Sequence, residues 1–178
     1  MSAPFGTEMG MTKTEIGINS THKEISAYRW GLKSLPKTSK LFESYVVTVT
    51  PKNGLCYLRA VGVDISTSRY GTDLKSSFDK INNSLKKKYI KGEDNDMLSH
   101  GSIWNEPRDY MMGLVKKERF LVTFYNKEKG STMSENVKTV MLNASALSSE
   151  KGFITLDYAF DNNDACNAEI NALEDDVF

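Results

Sequence analysis

The sequence predicts an α+β fold built from two α-β-β-β-α pseudo-repeats, with antiparallel sheets and helices packed on one face. Three observations carry this reading. Tyr45-Val-Val-Thr-Val-Thr50 is rich in β-branched residues, Pro51-Lys-Asn-Gly54 has turn chemistry, and residues 55–65 run back as a second strand. Leu74, Phe78, Ile81, Leu85 and Tyr89 then step by four, three, four and four, which is one stripe of a helix. The second half repeats the order: strands at 120–125, 137–147 and 153–160, then Cys166, Ile170, Leu173 and Val177 at helical spacing.

The remaining elements follow in chain order. Residues 11–20 read as a short helix and residues 25–32 as a strand, and Gly62 is a candidate bulge. Asn105-Glu-Pro107 opens a helix running to about Glu118, because proline fits a first turn that needs no N–H. In the last strand Ile154, Leu156, Tyr158 and Phe160 share one face, and Asp161-Asn-Asn-Asp164 offers cap residues to the final helix. The halves are residues 1–91 and 104–178, expected to form one compact unit, and the polar stretch 92–103 reads as an irregular connector. Residues 126–135 form a second polar loop. Lys86, Lys87, Lys88 and Lys91 complement the end of their helix, and Glu169, Glu174, Asp175 and Asp176 make the C-terminus acidic.

Composition narrows the functional classes. Apolar residues are 39% and charged residues 26%, so an ordered chain is expected. Lys plus Arg equals Asp plus Glu at 23 each, which leaves no global field for nucleic acid or an anionic membrane. Tyr57, Arg59 and Trp30 would suit base stacking, but no RNP-like aromatic pattern accompanies them. Neither nucleic acid nor membrane is therefore expected as a partner. Cys56 and Cys166 form no CxxC or Cys/His pattern, so buried free thiols are expected. No apolar run approaches the roughly 20 residues of a membrane span, and a cytoplasmic setting is the default expectation.

Chemistry-bearing spacings are missing from the sequence. It has no phosphate-binding Gly-x-x-x-x-Gly-Lys loop, dinucleotide Gly-x-Gly-x-x-Gly turn, nucleophile elbow or His-Glu-x-x-His. With His22 and His100 as the only histidines, a multi-histidine metal centre is ruled out, and no cofactor or metal is expected. Glu93, Asp94 and Asp96 lack the Gly and distal Glu of a calcium loop and read as a solvated acidic segment. The most unusual stretch is Ile103-Trp-Asn-Glu-Pro-Arg-Asp-Tyr-Met-Met112, which combines residue types that dominate interfaces. Trp104 either packs over the helix start or belongs to a recognition surface.

Pro4-Phe-Gly-Thr-Glu-Met-Gly-Met-Thr-Lys-Thr-Glu-Ile16 resembles the Gly-Met-Thr/Ser-x-x-Glu-Val/Ile opening of a helix in small bacterial tandem α+β modules. These are of the beta-lactamase inhibitor protein and outer-membrane assembly small lipoprotein type. Unlike that lipoprotein, this sequence has no lipobox cysteine. Gly101-Ser-Ile-Trp-Asn-Glu-Pro107 is similar to segments of conserved bacterial proteins. The resemblance implies modules whose sheets bind other proteins without catalysis. The expected function is a non-enzymatic cytoplasmic protein-binding module of immunity, inhibitor or adaptor type, a monomer or small homo-oligomer. Its contact residues would be His100, Trp104, Asn105, Glu106, Arg108, Asp109 and Tyr110. The alternatives are a small enzyme using His100 with a carboxylate in a cleft between the halves, and a small-molecule sensor.

Overall fold

A computed structural model describes residues 3–134 and 136–178. In chain order the elements are α1 (Lys13–Ile16), β1 (Glu24–Ser26), β2 (Arg29–Leu32), β3 (Phe42–Thr50), β4 (Gly54–Gly62), β5 (Ile65–Ser66) and α2 (Thr72–Tyr89). They continue with β6 (Glu93–Leu98), α3 (Tyr110–Val115), β7 (Arg119–Asn126), β8 (Val137–Ser148), β9 (Lys151–Phe160) and α4 (Asn163–Asp175). Helices plus a mostly antiparallel nine-stranded sheet make the class α+β, as the sequence predicts. Its strands follow the order β1-β2-β3-β4-β9-β8-β7-β6, with β5 on β9. Contacts divide the chain into two units interleaved in sequence: Met1–Val61 with Met133–Val140 and Asp157–Phe178, and Gly62–Thr132 with Met141–Leu156.

In the first unit, local signals account for the hairpin. The chain reverses through residues 51–53, and Gly54 enters β4 at φ 66° with its Cα against the Gly10 backbone, where a Cβ would collide. The close approach lets Gly10 N–H donate to the Leu55 carbonyl (2.9 Å) and Leu55 N–H to that of Met11 (2.8 Å). Phe5 sets its ring edge-on to Phe42, Tyr45 and Tyr158 over a core that includes Val47, Leu55, Leu58 and Phe160. The expected helix over 11–20 is only the four-residue α1. Thr12 caps it, and Gly17 at φ 97° closes it with N–H bonds to Lys13 and Thr14. The expected strand over 25–32 is instead the hairpin β1–β2, turned at Tyr28 with φ 58°.

The cysteines correct the free-thiol expectation: Cys56 of β4 and Cys166 of α4, both fully buried, form a disulfide across a separation of 110 residues. Beside it Asn162 donates to the carbonyls of Asn53 (3.0 Å) and Leu55 (3.1 Å), so it ties α4 to the hairpin and makes no side-chain cap. Glu169 accepts from Lys52 N–H and Asn53 Nδ2, both at 2.8 Å. Of the predicted apolar stripe on α4, Cys166 alone is fully buried. Leu173 and Val177 are exposed, and Val177 lies beyond the helix end.

In the second unit α2 buries Leu74, Phe78, Leu85 and Tyr89 of its predicted stripe, together with Asn82. Lys86, Lys87 and Lys88 occupy its last turn, where positive charge opposes the negative end of the helix dipole. Residues 93–98, read from sequence as irregular, form strand β6. It pairs antiparallel with β7 from Glu93↔Phe124 to Leu98↔Arg119. The helix expected from 105 to 118 is shorter: a 3-10 turn (Pro107–Asp109) leads into α3, which ends at Val115.

Candidate functional site

Strands β6 and β7 build a surface with two unlike faces. Side chains alternate along a strand and paired residues share a face, so the register puts Asp94 and Thr123, Asp96 and Leu121, and Leu98 and Arg119 on one side. That side meets α2. Asn82 Nδ2 donates to Asp94 (2.9 Å) and to Thr123 Oγ1 (3.0 Å), Thr123 donates to Asp94 (2.7 Å), and Lys86 pairs with Asp94 at 2.5 Å. Tyr125 donates to Asn82 Oδ1 at 2.9 Å, which closes the network. Burial acts to raise the Asp94 pKa, but the hydrogen bonds from Lys86, Asn82 and Thr123 outweigh it and hold the carboxyl below its ordinary value. Burial, then the Asp94 charge, pushes the Tyr125 phenol up to about 12.

Further along the same side, Asp96 accepts from Arg119 (2.9 Å) and from the Tyr110 hydroxyl (3.2 Å). The Tyr110 ring is held by two cations, Lys75 Nζ at 4.1 Å and the Arg119 guanidinium at 4.6 Å. Burial first, then the Asp96 carboxylate, raises the Tyr110 pKa. Glu93 sits 3.5 Å from Lys129, so all three acids of β6 are paired.

The opposite side is mixed and open at Met97, Phe120 and Phe124, while Val122 between the two phenylalanines is buried. Register places Met97 beside Phe120, Asn95 beside Val122 and Glu93 beside Phe124. Met97 is 55% exposed, Phe120 44% and Phe124 42%. As β6 ends the strand order, its outer backbone groups have no neighbouring strand among the described residues.

The contact residues read from the sequence scatter around this strand pair. His100, Asn105, Glu106 and Arg108 are exposed, Trp104 and Asp109 half-buried, and Tyr110 buried in the Asp96 network. Trp104 N–H donates to Ser102 Oγ (3.2 Å), and Glu106 N–H donates to Asp109 Oδ2 (3.3 Å) in a capping box over Pro107. Glu106 and Asp109 thus shape the start of α3. Sequence reading passed over Met97, Phe120 and Phe124. Their signal was the four-residue step between the two phenylalanines in Phe120-Leu-Val-Thr-Phe-Tyr125, which puts both on one strand face.

The first unit holds a second polar cluster. Arg59 grips Asp157 through Nε and Nη2, both at 2.8 Å, and Tyr57 donates its hydroxyl to the same carboxylate at 2.7 Å. Asp157 is 4% exposed, a buried charge satisfied by three donors. Burial and then Asp157 push Tyr57 up to about 12, while the hydrogen bonds to Asp157 raise the already high Arg59 pKa. No group of three or more His, Cys, Asp or Glu placed to hold a metal occurs among the described residues.

Comparison with known proteins finds no matching family, no matching curated protein and no matching solved structure.

Proposed function

We propose that this chain is a non-enzymatic protein-binding module of immunity, inhibitor or adaptor type, working through the open β6–β7 face. One observation carries the reading: Met97, Phe120 and Phe124 stand exposed together beside an edge strand whose acids are internally paired. An exposed strand edge is ordinarily protected by unpaired charge. Here each acid of β6 has a cation partner at the surface, which leaves the edge without unpaired charge and suits addition of an extended partner segment whose apolar side chains cover the three residues. The resemblance of residues 4–16 to tandem modules supports the same reading. The acceptor is a protein, with the chain acting as a monomer or small homo-oligomer.

No helix among the described residues is long and apolar enough to cross a membrane. A buried cystine supports an oxidising compartment over the cytoplasmic setting expected from sequence, because reducing cytosols keep thiols free.

The test is affinity capture from host lysate under non-reducing conditions. Wild type is compared with Phe120→Gln/Phe124→Gln and with Trp104→Ala/Arg108→Ala, each first shown to be folded. Loss of a stoichiometric protein with the first variant and retention with the second is expected. Truncating an interface anchor costs at least about 2 kcal/mol, or roughly thirtyfold in affinity. Equal capture by all three proteins would overturn the reading.

A further inference from the structure

A cavity of about 490 Å³, open to solvent, lies in the first unit against β1, β2, β3, β4 and one side of α4. Its walls come from distant parts of the chain. The β2–β3 register pairs Arg29 with Thr48, so both enter the cavity from one sheet face. Tyr57 lines it with its hydroxyl fixed on Asp157. From α4 come Asn163, Asn167, Ile170 and Glu174, stepping four, three and four, which is a single helix face that borders the Cys166 stripe and shares Ile170 with it.

Two features of this lining point to a ligand. Arg29 and Glu174, opposite in charge and both exposed, line the same cavity, and neither forms an ion pair with any described residue. Glu174 also stands in the last turn of α4, followed by Asp175 and Asp176, with no basic residue in that turn. Negative charge is unfavourable at the negative end of a helix, and a cation placed there relieves it. Arg29 offers the complementary site, a planar fork suited to a carboxylate. A simple anion would be repelled by Glu174 and a simple cation by Arg29, so a ligand carrying both charges is the one selected. The volume falls in the range of small-molecule sites.

We propose that this cavity binds a small zwitterion, a free amino acid or dipeptide, with its carboxylate on Arg29 and its ammonium at Glu174. For a dipeptide, Asn163, Asn167 and the Tyr57 oxygen supply hydrogen bonds to the peptide group between the two ends. The site is separate from the β6–β7 face, since none of its residues belongs to the second unit.

The experiment is an NMR titration of the oxidised, isotope-labelled protein with L-leucine and with glycyl-L-leucine. Each is taken to about 10 mM, roughly ten times a Kd of ~1 mM. Saturable shifts at amides around residues 29, 57, 167 and 174 are expected with at least one zwitterion, and which one saturates first separates amino acid from dipeptide. N-acetyl-L-leucine and L-leucinamide, each lacking one charge, should bind at least about tenfold more weakly. So should R29Q and E174Q, whose amide spectra report whether they remain folded. If neither zwitterion gives saturable shifts, if the capped analogues bind equally well, or if only an uncharged sugar such as glucose shifts these amides, the proposal fails.

Discussion

Reducing the Cys56–Cys166 bond should cost this fold a large part of its stability, and the size follows from where the cysteines lie. The bond closes a loop of 110 residues. In the chain-entropy treatment such a loop removes about 16 cal/mol/K from the unfolded ensemble, or about 4.8 kcal/mol at 25 °C. Because Asn162 and Glu169 hold α4 to residues 52–55 through their own hydrogen bonds, the reduced native state should keep α4 in place. The loss then appears as a shift in the unfolding equilibrium. Urea unfolding followed by circular dichroism, with and without reductant, measures it. With a urea slope of ~2 kcal/mol/M the midpoint falls by about 2 M. Cys56→Ala/Cys166→Ala should reproduce the reduced midpoint to within about 0.5 M on the same slope. Two titratable thiols in the denatured, unreduced protein would refute the reasoning, as would coincident midpoints.

Other expectations concern the polar cluster and the hairpin. Asp157→Asn removes the charge that Arg59 and Tyr57 share, and should lower stability by about 2 kcal/mol in the same urea assay. Tyr57 has a folded pKa raised to about 12 against an unfolded value near 10. Its contribution is therefore fully present below pH ~10 and lost as pH rises towards 12, which ultraviolet titration of tyrosinate in wild type and Tyr57→Phe will register. Gly54→Ala places a Cβ into the Gly10 backbone at a positive φ and should cost about 1–3 kcal/mol, read as a lower melting temperature.

What the sequence disclosed was set by how local each signal is. The hairpin, α2 and the start of α4 rest on turn residues and helical spacing a few positions apart, so they were visible without a structure. Strand β6 was not. Glu93-Asp-Asn-Asp-Met-Leu98 has a polar sequence, and its acids tolerate a packed strand only because Lys86, Asn82, Thr123, Tyr110 and Arg119 meet them from elsewhere in the chain. The Cys56–Cys166 pair was hidden for the same reason: proximity across 110 residues is a property of the fold and not of spacing. The helix expected over 11–20 failed at Gly17, whose left-handed conformation ends it after one turn. On α4 Asn163, Asn167 and Glu174 line the cavity at a spacing as regular as that of the apolar stripe, but polar residues on an exposed helix face carry no local signal of a site.

The binding reading is tested most directly by photo-crosslinking in the native host. A benzophenone amino acid replaces Met97 on the open face or, as a control, Lys80 on the exposed side of α2. One discrete cross-linked protein from position 97, absent from position 80 and suppressed by Phe120→Gln/Phe124→Gln, is the expected result. The same pattern from both positions, or no protein captured at position 97 while the chain remains folded, would contradict it.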